Sequence, residues 1–148
     1  MTKYIIPSII EENKKSLTGR IYSREVLLEM KRQYDELIKD KKLFVTCEQP
    51  ENRENITDID LAKGVVQGIV EKVELVQGRL EFTIQTTGQL SLIEKYMSGV
   101  EKDNTYLATN VCAIINYHND LQAYEILFDK DHPIEVANYV ALLVVDNN

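Results

Sequence analysis

The chain has 148 residues, of which 44% are apolar and 28% are charged, values that are ordinary for a folded globular domain. Its net charge of −7 opposes binding to nucleic acid, because affinity for phosphates depends on clustered lysine and arginine side chains. Its longest apolar run is far shorter than the roughly 20 residues that a membrane-spanning helix needs, so we expect no membrane partner. The length suits one hydrophobic core, and we expect residues 1–148 to form a single domain.

The first third of the chain predicts a strand followed by a long helix. Residues 4–10 are strand-like, and Pro7 favours an edge position in the sheet because proline cannot donate a backbone hydrogen bond. Ser23 is a good helix N-cap, and the apolar spacing after it predicts a helix that ends near Asp40. The apolar stripe of this helix consists of Val26, Leu27, Met30, Tyr34, Leu37 and Ile38.

The middle of the chain predicts a short strand, a polar loop and a β-hairpin. The strand covers 43–47, and the loop covers 48–58, which is the longest polar stretch of the sequence. Gln77 and Gly78 are typical of a two-residue hairpin turn that follows a strand-rich segment at 65–76. In the second hairpin strand we expect Leu80, Phe82 and Ile84 to face the core, and Arg79, Glu81 and Gln85 to face outward.

The remainder of the chain predicts a second helix and three further strands. The helix covers about 89–98, and the strands cover 106–117, 121–128 and 136–145. Short connections between strands favour antiparallel pairing. The sequence therefore predicts an α+β fold, in which six or seven strands form a small curled, mostly antiparallel sheet or barrel with two helices.

The residue types alone predict no catalytic site, metal site or cofactor. Both histidines, His118 and His132, fall in predicted turns, and their spacing matches no metal-binding motif. Cys47 and Cys112 are far apart and form no CxxC pair, so we expect two reduced thiols. A disulfide, or a nucleophilic pair of Cys47 with a distant histidine, is the less favoured alternative.

One segment, Gly-Arg-Ile-Tyr-Ser at 19–23, is more specific, because it leads directly into the first helix. It resembles the segment before the first helix of tailed-phage prohead (capsid maturation) proteases, whose fold is related to that of the herpesvirus assemblins. The order of later features supports this resemblance over residues 16–133. These features are the hairpin turn at Gly78, the Thr-Gly pair at 87–88 before the second helix, and the segment 126–133. The resemblance implies a fold similar to that of these proteases.

The positions that the resemblance assigns to catalysis hold other residue types. The family has a general-base histidine before a proline, whereas this chain has Gln49 before Pro50, and an amide does not accept a proton at neutral pH. The family has a serine nucleophile in the strand after the second helix, whereas this chain has Ala108 and Thr109 there. We therefore expect no enzymatic activity.

Because the chain resembles this family but lacks its catalytic residues, the resemblance implies an auxiliary or decoration protein of a phage capsid. Such a protein would be made in the host cytoplasm, reside in the virion, and bind the major capsid protein and copies of itself. Its expected contact surfaces are the loops at 48–58 and 129–133, which would frame the degenerate cleft. The expected contact residues are Glu48, Pro50, Asn52, Arg53, Asp129, Asp131 and His132. The alternatives are an active maturation protease that uses Thr109 or Ser91, and an internal scaffolding factor that leaves before the head matures.

Overall fold

A computed structural model of the chain describes residues 3–16, 21–47, 50, 55–86, 104–115, 125–126 and 134–146. The expected second helix at 89–98 and the expected turn that contains His118 lie outside these residues. In the described part, the strands are β1 (Lys3–Pro7), β2 (Ile21–Tyr22), β3 (Phe44–Thr46), β4 (Val66–Val76), β5 (Arg79–Thr86), β6 (Thr105–Ile115), β7 (Glu125–Ile126) and β8 (Ile134–Asp146). The helices are α1 (Arg24–Lys39) and α2 (Asp58–Ala62).

Six strands form one sheet in the order β1-β5-β4-β3-β8-β6, while β2 and β7 pair separately. Within the large sheet β3 and β8 are parallel, and the other pairings are antiparallel. Just after β1, Ser8 forms a bridge to Thr109 of β6, and the Ile9 N–H donates to the Thr109 carbonyl at 2.9 Å. The sheet therefore curls until its end strands meet, which confirms the expected α+β fold with a nearly closed, barrel-like sheet.

The end strand β1 confirms the edge position that Pro7 predicts. The Ser8 N–H donates to the Leu80 carbonyl of β5 at 2.7 Å, so the backbone groups of Pro7 point away from β5. The N–H that proline lacks would have pointed to the open edge, and its absence removes no bond of the sheet. Proline and an exposed lysine, Lys3, on a short end strand also hinder pairing with another chain.

The hairpin of β4 and β5 forms as the sequence predicts. Gln77 and Gly78 have φ angles of 50° and 81°, the positive values that a type I′ turn requires at both central residues. Every second residue of β5 then faces the core. Leu80, Phe82 and Ile84 are each fully buried, whereas Arg79, Glu81 and Gln85 are only partly so.

The helix α1 covers the inner face of the sheet. Its N-cap Ser23 accepts a hydrogen bond from the Val26 N–H at 3.2 Å, and the helix ends at the C-cap Asp40, as expected. The ring of Tyr34 packs edge-on against Phe82 of β5, with 5.5 Å between the ring centroids. The residues that α1 buries are Val26, Leu27, Met30 and Tyr34, and Leu37 and Ile38 pack beside them. The predicted apolar stripe is therefore confirmed.

The side chain of Gln33 joins α1 to the start of β8. Its Nε2 donates to the Ile134 carbonyl at 2.7 Å, and its Oε1 accepts from the Val136 N–H at 2.9 Å. Because β3 pairs with β8 only from Tyr139 onward, Gln33 satisfies backbone groups on an edge that β3 does not reach.

Candidate functional site

The strand β6 carries two of the three positions that the resemblance assigns to catalysis. Thr109 lies opposite Leu142 of β8, and since paired residues face the same side of a sheet, its side chain points into the barrel with Leu142. Thr109 is fully buried, and its Oγ1 has no hydrogen-bond partner. Ala108 is buried as well and carries no reactive group. A substrate could reach the Thr109 hydroxyl only if the barrel opened.

We predict that Thr109→Val leaves the free energy of unfolding unchanged or raises it by up to about 1 kcal/mol. The valine side chain fills nearly the same space. It removes a buried hydroxyl that loses its hydration on folding and gains no hydrogen bond in return. Urea unfolding of both proteins measures this difference. A clear loss of stability would show that the hydroxyl has a partner, and the loss of any self-cleavage of the chain would revive the protease alternative.

The other predicted site residues are almost all outside the described part of the chain. Pro50 is the one contact residue that the structure describes, and it is buried rather than exposed. The predicted residues outside the description are Glu48, Gln49, Asn52, Arg53, Ser91, His118, Asp129, Asp131 and His132.

The two cysteines are free thiols, as expected. Cys47 is partly buried against the main core. Burial raises the pKa of the Cys112 thiol, which lies beside a second, smaller cluster of apolar residues. A raised pKa leaves less of the Cys112 side chain as thiolate, which is the nucleophilic form of the group.

The expected loop at 48–58 is followed directly by a short helix, α2, which begins at the last residue of that range, Asp58. The Thr57 N–H donates to the Asp60 carboxylate at 2.9 Å, and the Asp60 N–H donates to the Thr57 hydroxyl at 3.4 Å. These reciprocal bonds form a capping box, which satisfies backbone donors at a helix start. The Thr-x-x-Asp spacing is a sequence signal for this helix that our prediction missed.

The burial of α2 is reversed relative to an ordinary surface helix. Asp60 is its one buried residue, at 0% exposure, whereas Ile59 and Leu61 are 57% and 45% exposed. The carboxylate of Asp60 is held by the capping box, including a bond from the Thr57 hydroxyl at 3.0 Å. The helix therefore turns Asp60 inward, while Asp58 and the two aliphatic side chains face solvent.

Hydrogen bonds of Asn138 in β8 hold residues 55–56, which precede α2, against the sheet. Its Oδ1 accepts from the Ile56 N–H at 2.6 Å, and its Nδ2 donates to the Ile56 carbonyl at 3.3 Å. In return, the Asn138 N–H donates to the Asn55 side chain at 3.2 Å. Ile56 is buried with Ala137 and Tyr139 in the smaller apolar cluster. The support of α2 thus comes from both polar and apolar contacts.

We predict that Asn138→Ala lowers the free energy of unfolding by about 1–3 kcal/mol, because it leaves the N–H and carbonyl of buried Ile56 without their partners. Asn110→Ala, an exposed asparagine on β6, is the matched control and should change stability by less than about 0.5 kcal/mol. Urea unfolding of both variants checks the prediction. Equal effects at the two positions would mean that the Asn138 amide does not support residues 55–57.

No family model, curated protein or solved structure matches this chain. In the part of the chain that the structure describes, no three His, Cys, Asp or Glu side chains are grouped to hold a metal ion. The helices described there include none with the length and apolar content to cross a membrane.

Proposed function

We propose that this chain is a non-catalytic auxiliary protein of a tailed-phage capsid, which binds the major capsid protein in the virion. The proposal includes a barrel of the prohead protease and assemblin type. It is supported by the Gly-Arg-Ile-Tyr-Ser segment that precedes α1, and by the α+β barrel into which that segment leads. The observation that most supports a non-catalytic role is the burial of Thr109, at the position that the resemblance assigns to the nucleophile.

The chemistry of the three catalytic positions supports this proposal. A serine-type protease needs a reachable hydroxyl and a base that takes its proton. Gln49 offers an amide in place of that base, Ala108 offers a methyl group, and the Thr109 hydroxyl is enclosed by the core. Losing one triad member already removes most of the rate enhancement. A fold that has lost its chemistry can still serve as a binding module.

A capsid partner also agrees with the charge of the chain. A net charge of −7 disfavours contact with packaged DNA, so a protein surface of the shell is the better partner. Shell proteins are present in many symmetric copies, so each copy offers the same contact surface, and an auxiliary protein would bind at a fixed ratio to the shell protein.

Quantitative mass spectrometry of purified virions tests this function. It measures the copy number of the chain relative to the major capsid protein, and it reads the termini of the chain. We expect the full-length chain at a fixed, high ratio. Absence from mature particles, or the presence of trimmed fragments alone, would instead favour a transient scaffolding factor or a protease, and the proposal would be wrong.

A further inference from the structure

We infer that the edge of β8 that β3 leaves uncovered, over residues 134–138, accepts an extended segment of the major capsid protein as an added strand. The segment contains lysine or arginine and lies in the groove between this edge and the last turns of α1. This inference rests on the proposed function, and it assigns the contact to residues outside the set that the sequence predicts. It follows from the backbone bonding at this edge, from the groove beside it, and from the charge of the groove.

The backbone bonding at this edge is the first argument. β3 pairs with β8 only from Tyr139 onward, so no described strand lies beside residues 134–138 on that side of β8. The Gln33 amide takes the place of a strand there, since it accepts from the Val136 N–H and donates to the Ile134 carbonyl. A peptide group also offers one donor and one acceptor. An incoming backbone can therefore form the same two bonds, as it does when a peptide adds to a sheet edge.

The sequence of this segment also suits a strand partner. The end strand β1 hinders pairing with another chain because it carries Pro7 and Lys3. Residues 134–138 contain neither proline nor lysine. At their far end the Asn138 N–H donates to the Asn55 side chain, so a side chain and not a strand holds this backbone group as well. The edge is thus covered by side chains that an added strand can replace.

The groove beside the edge is the second argument. It lies between the last turns of α1 and the start of β8, is open to solvent and has a volume of about 270 Å³. Small-molecule sites are clefts or cavities of roughly 300–1,000 Å³ that enclose most of their ligand, so this groove suits a few side chains of a peptide better than a cofactor. Leu37 and Val136 supply its apolar lining. Alternate side chains of an added strand point to the same face and would enter the groove together.

The charge of the groove selects the chemistry of the segment. Three carboxylates line it, those of Glu36, Asp40 and Glu135. One guanidinium, that of Arg32, lies among them and donates to the Glu29 carboxylate at 2.6 Å. The groove therefore carries a negative potential that attracts lysine and arginine side chains.

The same charges decide between occupants. The Lys39 ammonium lies 3.3 Å from a Glu36 oxygen, but both side chains are mostly exposed, so solvent weakens this pair and the carboxylate can bind a partner's cation. A second copy of this chain is the poorer occupant, since it carries a charge of −7 and would meet an acidic groove.

The test is binding of the purified chain to shells isolated from a phage that lacks the gene for it. The chain is titrated onto these shells at low and at high salt, and the bound fraction is measured after sedimentation. The charge variant is Glu36→Gln/Asp40→Asn, which changes two exposed residues of the groove. The matched control is Glu74→Gln/Glu81→Gln, which removes the same charge at a cross-strand pair of the hairpin. Thermal unfolding of each variant verifies that it is folded.

We expect the charge variant to bind about three- to tenfold more weakly than the native chain at low salt, since two exposed charge pairs together change an equilibrium constant by about that factor. The difference should shrink at high salt, which screens exposed charges. The control should bind within about twofold of the native chain.

Gln33→Ala tests the strand addition itself. In the native chain the incoming backbone must displace the Gln33 amide, whereas in the variant no side chain competes for the same two bonds. We therefore expect Gln33→Ala to bind shells at least about threefold more tightly. Weaker binding would show that Gln33 itself contacts the shell, and the strand addition would be wrong. Hydrogen exchange of residues 134–138 in the native chain should slow on shells, a result that does not depend on the folding of any variant.

The outcomes separate the two proposals. If the native chain binds and both double variants bind equally well, or if exchange at 134–138 is unchanged on shells, the strand addition is overturned while the capsid function stands. If the chain alone dimerises and its exchange at 134–138 slows as its concentration rises, a second copy is the occupant, and the contact with the shell protein is overturned. If the native chain does not bind the shells, the capsid function fails, and this inference fails with it.

Discussion

Tyr34→Ala should lower the free energy of unfolding by about 3–5 kcal/mol, the usual cost of removing a buried aromatic ring. Tyr34 is fully buried on α1, and its ring packs edge-on against Phe82 of β5. The variant would leave a cavity at the contact between the helix and the inner face of the sheet. Urea unfolding measures the loss, and a decrease below about 1 kcal/mol would mean that the neighbouring side chains collapse into the cavity.

Tyr34→Phe is the matched control for this prediction. It keeps the ring and removes a buried hydroxyl that has no hydrogen-bond partner, so we expect stability to stay the same or to rise by up to about 1 kcal/mol. If Tyr34→Phe were as harmful as Tyr34→Ala, the hydroxyl and not the ring would be the important group.

The same pair of proteins differs in its response to alkaline pH. Burial raises the pKa of Tyr34 well above its ordinary value of 10.0. The unfolded chain therefore releases this proton at a lower pH than the folded chain, so the native protein loses stability as the pH rises above about 10. In Tyr34→Phe that contribution is absent, and its unfolding free energy should decline less steeply over the same pH range.

Gly68→Ala should lower the free energy of unfolding by about 3 kcal/mol, because the added methyl group meets a neighbouring backbone rather than a flexible side chain. A Cβ atom on Gly68 would lie 2.5 Å from the carbonyl oxygen of Gln85 in β5. Gly68 pairs with Val45 of β3 on one side and with Thr86 of β5 on the other. The strand therefore cannot shift without disturbing the sheet on both sides, which is the condition under which overpacking is most harmful.

Gly64→Ala provides the comparison for Gly68→Ala. A Cβ atom at Gly64 would have no neighbour within 4 Å, and its cost arises only from a φ angle of +71°. That left-handed conformation costs about 1–2 kcal/mol for a residue with a side chain. Thermal or urea unfolding ranks the two variants, and a Gly64→Ala loss as large as that of Gly68→Ala would show that steric approach at β5 is not the cause.

The elements that the sequence predicts correctly are those with local signals. Ser23 and the apolar stripe after it define α1, while Gln77 and Gly78 define the hairpin, and in each case the relevant contacts lie a few residues apart. The parallel pairing of β3 with β8 and the bridge from Ser8 to Thr109 join residues about a hundred positions apart. Such pairings depend on the folded sheet as a whole and carry no local pattern.

The candidate site was harder to predict for the same physical reason. Apolar residues occupy both alternating sets of positions in β6, so its sequence does not reveal which face of the sheet Thr109 lies on. The pairing of Thr109 with Leu142 in the folded sheet shows that its side chain lies on the inner face. α2 was missed because Ile59 and Leu61 suggest no helical stripe and because the helix buries its aspartate. The capping box at Thr57 and Asp60 was the signal that was present.

The position of β8 between β3 and β6 has a consequence for synthesis on the ribosome. β8 is the last described strand in the chain, yet the strands on both sides of it are made earlier. Until β8 leaves the exit tunnel, β3 and β6 have no partner on the edges that β8 will occupy. The Gln33 side chain and the Ile56 backbone also lack the hydrogen bonds that they form with β8. The barrel can therefore close only after β8 has been translated, so closure is a late event in the folding of the nascent chain.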